Sequence, residues 1–250
     1  MTLKQTFFSV AIACTIALAA PAFASDGPQS AAAAKASAAA LVAYTETAAK
    51  NGERPNYTTA PIAGHLKRIF DLDALAALPP EKAGDIEWLL DWGDSANIGY
   101  KILVRYEAGK DGGPQSAARN LIDHENEISS GLSFTLRLQS RMARTGPLFM
   151  ESLPPEQRTD IRKRGFEGYT RQLVGTVLST SGMLASMTMK PGNAAVIAAS
   201  LRDTANAWLP YTTADERTQL AELLKRSSTV NSEARPALDT ATATISKFRN

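Results

Sequence analysis

The amino-acid sequence predicts an all-α fold, an irregular bundle of about six to eight helices around a long central one. Three observations carry this expectation. Apolar residues recur at helical spacing through most of the chain after residue 62. The stretch from Ser30 to Lys50 is dominated by alanine, the strongest helix former. No strand-period alternation runs for a useful length. The expected organisation is a leader over 1–24, an alanine-rich helical arm and loop over 25–62, and a helical bundle over 63–250.

The leader is read from its order of parts. Lys4 supplies a short positive start, and Phe7 to Ala20 is apolar apart from Ser9 and Thr15. Ala22 and Ala24 then give an A-x-A cleavage signature, so the mature chain is expected to begin at Ser25 and to be periplasmic or secreted. The apolar run is too short and alanine-rich for a lasting membrane span, and no later segment approaches the length of one. Cleavage would remove Cys14, the only cysteine, and leave a chain with no disulfide in an oxidising compartment. It would also remove Lys4, leaving 26 basic against 25 acidic residues. A net charge of +1 gives no electrostatic footprint for general nucleic-acid binding.

Within the arm, Leu41, Val42 and Tyr44 are the only large apolar residues, which predicts weak docking. Gly52, Pro55 and Pro61 mark the following loop. Short helices are expected over 63–70 and 73–78. Leu78-Pro79-Pro80-Glu81 should start a longer helix ending near Gly109. A further helix is expected from about Gln115 to Ala143, stopped by Gly146-Pro147. Leu153-Pro154-Pro155-Glu156 should launch a helix of some thirty residues, and Pro191 the next, closed by Pro210. Thr213 and Glu216 form a capping box, and a last helix spans about Glu233 to Phe248. The segments 78–86 and 153–161 match at six of nine positions. An internal duplication and a shared helix-start chemistry both account for that echo.

Candidate sites follow from spacing. Gly168, Gly175 and Gly182 recur every seven residues on one helical face, each at a conformational cost of about 1 kcal/mol against alanine. Such a stripe predicts close approach of a neighbouring helix, or a groove that takes a small ligand. Trp88 and Trp92, four residues apart beside Glu87, Asp91 and Asp94, read as core or as a cation or sugar platform. Charge is uneven: seven acids face one lysine over 71–97, and eight basic residues face four acids over 137–171. Arg137, Arg141 and Arg144 line one stripe of the basic region, which reads either as charge offset within the bundle or as an exposed surface for an acidic partner. His124 with Asp123, Glu125 and Glu127 has the residue types of a metal or acid–base site, but the wrong helical spacing for one. Met183, Met187 and Met189 read as core filler before soft-metal ligands. Motifs for nucleophilic catalysis and phosphate binding are absent from the sequence.

The leading functional expectation is therefore a non-enzymatic exported protein that binds a macromolecular partner, another protein or an envelope component, with no cofactor and no metal. The alternatives are a small-molecule carrier using the Gly168/Gly175/Gly182 face, and a hydrolase or lyase using His124 with nearby carboxylates.

Overall fold

The computed structural model describes residues 29–53, 57–107, 110–111 and 114–248, the side chains of 105–118 excepted. The expected leader, its cleavage point and Cys14 lie outside the described residues. Among the described residues the fold is all-α. Eleven α-helices follow in order: α1 (Gln29–Lys50), α2 (Ile62–Ile69), α3 (Leu72–Ala76), α4 (Ile86–Arg105), α5 (Pro114–Asp123), α6 (Glu125–Ser152), α7 (Asp160–Ser186), α8 (Pro191–Asp203), α9 (Ala205–Trp208), α10 (Ala214–Val230) and α11 (Arg235–Lys247). The β structure described is one antiparallel ladder between α4 and α5, with Tyr106 opposite Asp111 and Glu107 opposite Lys110. No described helix is long and apolar enough to cross a membrane.

The central rod is α6, not the glycine-bearing α7. It packs against α3, α4, α5, α7, α8 and α9, whereas α7 lies chiefly on α10. A single contiguous core runs through all these contacts, with Trp92, Phe134, Leu173, Trp208 and Leu238 among its buried members. The helix expected as one rod from Gln115 breaks at His124, whose backbone leaves helical geometry at φ −121° and ψ 33°. The break re-aims the chain so that the buried Glu125 carboxylate accepts from the Lys190 amide at 2.7 Å and from Asn193 Nδ2 at 2.9 Å. A negative charge thus sits at the positive start of α8.

Two other expected boundaries move for identifiable reasons. The first Pro-Pro-Glu segment precedes a 3-10 turn, Ala83–Asp85, the second runs into one, Pro155–Gln157, and the α-helices start only at Ile86 and Asp160. A residue before proline is held away from the helical region, and Pro154 is extended at ψ 148°. The capping box forms as its sequence demands, with Glu216 N–H donating to Thr213 Oγ1 at 3.2 Å and Thr213 N–H to Glu216 Oε2 at 2.8 Å.

The alanine-rich helix is no weakly docked arm. Ala31, Ala34, Ala38 and Leu41 are buried in the same core as the rest, against α2 and α4. The reason lies in what alanine lacks: a methyl stripe lets two helix backbones come close, so dispersion contacts replace bulk.

The junction of α2, α4 and α6 is filled by one ring. Phe70, buried at the end of α2, lies between two bare backbone positions, Gly99 of α4 and Gly131 of α6. A Cβ at either would fall 3.1 Å and 3.2 Å from its Cζ. Phe134 meets the ring edge-on at 6.1 Å, Trp92 packs at a tilt against Phe134 at 5.1 Å, and the Trp92 indole N–H donates to Ile69 O at 3.0 Å. Phe70→Ala is expected to destabilise the fold by about 3–5 kcal/mol, read as a lower denaturation midpoint in urea. A loss below about 1 kcal/mol would show that the ring is not what fills the junction.

Candidate functional site

The structure places the sites read from spacing in different settings: some are engaged or buried within the fold, and the glycine stripe is open. The arginine stripe of α6 is a set of internal clamps. Arg137 donates to Ser200 Oγ at 3.0 Å and to Asp203 at 2.7 Å, tying α6 to α8. Arg141 is buried and donates to the Pro79 carbonyl. Arg144 reaches Glu81 Oε1 with Nε at 2.9 Å and a terminal nitrogen at 2.7 Å. The acidic and basic regions of the sequence thus meet at Glu81, and the three arginines do not form one free stripe: Arg141 is buried, Arg137 half-buried, and the exposed Arg144 is engaged with Glu81. The Pro79 carbonyl lies in a segment without helical hydrogen bonds, which is why an arginine donor is needed there.

Burial alone would raise the Glu81 carboxyl, but a backbone hydrogen bond and the Arg144 and Arg141 guanidinium groups outweigh it and hold its pKa below the ordinary 4.5. Asp203 is likewise held low by Arg137 and Arg202 against its burial.

Trp88 and Trp92 are both buried, with ring centroids 6.5 Å apart. Trp88 donates to Asp85 at 3.3 Å and Trp92 to the Ile69 carbonyl. They are core residues and present no platform to a ligand.

The glycine stripe of α7 faces away from the core. Nothing lies within 4 Å of a Cβ built at Gly168, Gly175 or Gly182. The buried face of α7, with Leu173, Val177 and Leu184, lies opposite, so the expected neighbouring helix is on the other side. No neighbouring helix is packed closely against the stripe. The close helix approach anticipated there occurs instead at Gly99 and Gly131, which Phe70 requires.

His124 lies at the junction of α5 and α6 with its ring edge-on to Tyr57 at 5.0 Å. The neighbouring Glu125 carboxylate is committed to α8, and Asp123 pairs with Arg119 at 3.4 Å. Among the described residues no three His, Cys, Asp or Glu side chains gather as a metal site would require. Met189 is buried, and Met183 and Met187 pack against the core.

The structure instead supplies a concavity that the sequence did not point to, where the end of α6 meets the start of α7. An open groove of about 380 Å³ is lined by Pro147, Met150 and Phe166, with Glu151, Arg158, Lys163 and Glu167 around it. Its construction begins with the Gly146-Pro147 pair. These residues were expected to end the helix, yet α6 continues through them to Ser152. Proline has no N–H to give the carbonyl four residues back, and the Tyr211 hydroxyl donates to that Ala143 oxygen at 3.4 Å. Gly146 has no side chain because the Phe166 ring occupies the space; a Cβ there would overlap the ring. Tyr211 then meets Phe166 edge-on at 6.0 Å and 85°, fixing the aromatic floor from behind. Burial pushes the Tyr211 hydroxyl up from its usual pKa, so it stays a neutral donor at physiological pH.

The rim is electrically mixed. Arg158 donates to the Leu153 carbonyl at 2.9 Å and the Glu151 carbonyl at 2.8 Å, and Lys163 lies 3.6 Å from Asp160. The signal that could have revealed this site is a Gly-Pro pair followed by further apolar residues, Leu148, Phe149 and Met150, which continue the helix rather than a loop.

Two measurements test these assignments. Gly168→Ala should raise stability by about 0.5–1 kcal/mol, since an exposed helical glycine is replaced by a better helix former; destabilisation would mean that the stripe is packed. A carboxyl with a lowered folded-state pKa contributes stability above its unfolded value and loses it as pH falls through the folded one. Thermal melts of wild type should therefore fall as pH drops below about 4.5, and Glu81→Gln should lower stability at neutral pH and flatten that fall. An unchanged slope would reject the clamp.

Compared with known proteins, the chain matches no family model, no curated protein and no solved structure.

Proposed function

We propose that this chain is an exported, non-enzymatic protein of the periplasm or cell envelope that binds a macromolecular partner through the groove between the ends of α6 and α7. One observation carries the reading: an apolar floor of Pro147, Met150 and Phe166 is open to solvent and already held in shape by Tyr211 and Gly146. A preformed concavity loses little conformational freedom on binding, which favours association. Met150 adds an adaptable thioether of the kind common at recognition surfaces. Export rests on the leader-like order of residues 1–24. The groove is open along its length, which suits one segment of a larger partner better than a fully enclosed small molecule.

Met150→Glu should abolish retention of an envelope partner in pull-downs while leaving the melting temperature unchanged. Val196→Glu, at an exposed apolar residue of α8 away from the groove, should leave retention intact. Equal retention by all three proteins would reject the groove as the binding surface.

A further inference from the structure

We infer that the groove takes a polypeptide segment in which one apolar side chain is flanked by an acidic and a basic residue, and not a polyanion or an anionic lipid surface. This deepens the proposed function and rests on the same groove.

The sequence carries an excess of cations between Arg137 and Arg171, which on its own favours an acidic partner. The fold offsets much of that excess. Arg137 and Arg202 share Asp203, Arg144 and Arg141 share Glu81, and Arg171 pairs with Glu216 at 2.7 Å. The cations that remain at the α6–α7 end are Arg158, Arg162, Lys163 and Arg164, and they stand among Glu151, Glu156, Asp160 and Glu167. Four of each sign leave no net field to gather a polyanion or a charged membrane. Around the groove itself the balance repeats at smaller scale, with Arg158 and Lys163 against Glu151 and Glu167. A single-sign ligand would meet two like charges wherever it meets two unlike ones. A mixed-sign segment can place its acid beside Lys163 and its base beside Glu167 while an apolar side chain rests on Phe166 and Met150. Exposed pairs add little affinity each, so the apolar anchor supplies binding and the charges supply orientation and discrimination.

The test uses three capped tripeptides, acetyl-Glu-Leu-Lys-amide, acetyl-Glu-Leu-Glu-amide and acetyl-Lys-Leu-Lys-amide, with inorganic polyphosphate as the polyanion. Binding to the full chain is followed by the Met150 methyl NMR shift. The mixed tripeptide should saturate the shift at a concentration about threefold lower than either single-sign peptide. Lys163→Glu should move the preference to the di-lysine peptide, and polyphosphate should leave the Met150 methyl unmoved. Tighter binding of polyphosphate or of the di-glutamate peptide would overturn the inference. So would silence of the Met150 methyl towards every tripeptide. If that silence comes with Met150-dependent capture of an envelope partner, the groove stands as a binding surface and only its chemistry is wrong. If it comes without such capture, both fall.

Discussion

The Phe70 ring, inserted between Gly99 and Gly131, is the contact on which the arrangement of the other helices depends. Two glycines let the ring touch both α4 and α6 at backbone distance, and the ring in turn sets how close those helices lie. Phe134 and Trp92 extend the aromatic contact along α6 and α4, and the Trp92 indole ties it back to the α2 carbonyl. With α4 and α6 fixed, α1 closes over α4 with its methyl stripe, and α8 is seated on α6 through Glu125 at one end and Arg137 towards the other. Close packing of this kind has no slack, so a missing ring is felt across three helices.

The helical class was legible because apolar periodicity survives without knowledge of neighbours, and the Thr213–Glu216 cap was legible because its chemistry is local. What escaped the sequence was pairing between distant segments. Glycine spacing singled out Gly168, Gly175 and Gly182, which meet nothing, while Gly99, Gly131 and Gly146 stand where aromatic rings arrive from elsewhere in the chain. A glycine needed by a remote Phe70 or Phe166 looks no different in sequence from one tolerated on a surface. Pro147 misled for the same reason: its helix-breaking effect is local, and the hydroxyl that compensates it comes from Tyr211.

Charge taught a related lesson. The acidic and basic segments read either as mutual offset or as a surface for a partner, and in the fold they meet at one point, Glu81, while Arg137 and Arg171 take acids from later in the chain, Asp203 and Glu216. Buried Arg141 would be unfavourable without the Pro79 carbonyl and the nearby carboxylate, so the clamp orders a proline-rich segment that has few backbone donors of its own. The groove at the α6–α7 end is small, mixed in sign at its rim and apolar at its floor.

The hydroxyl that rescues the interrupted rod sits 68 residues downstream of the oxygen it serves. A nascent or truncated polypeptide that stops short of it would carry both lips of the concavity and still lack its backing. The finished shape of this concavity is therefore a late acquisition, complete only once the C-terminal third has folded home.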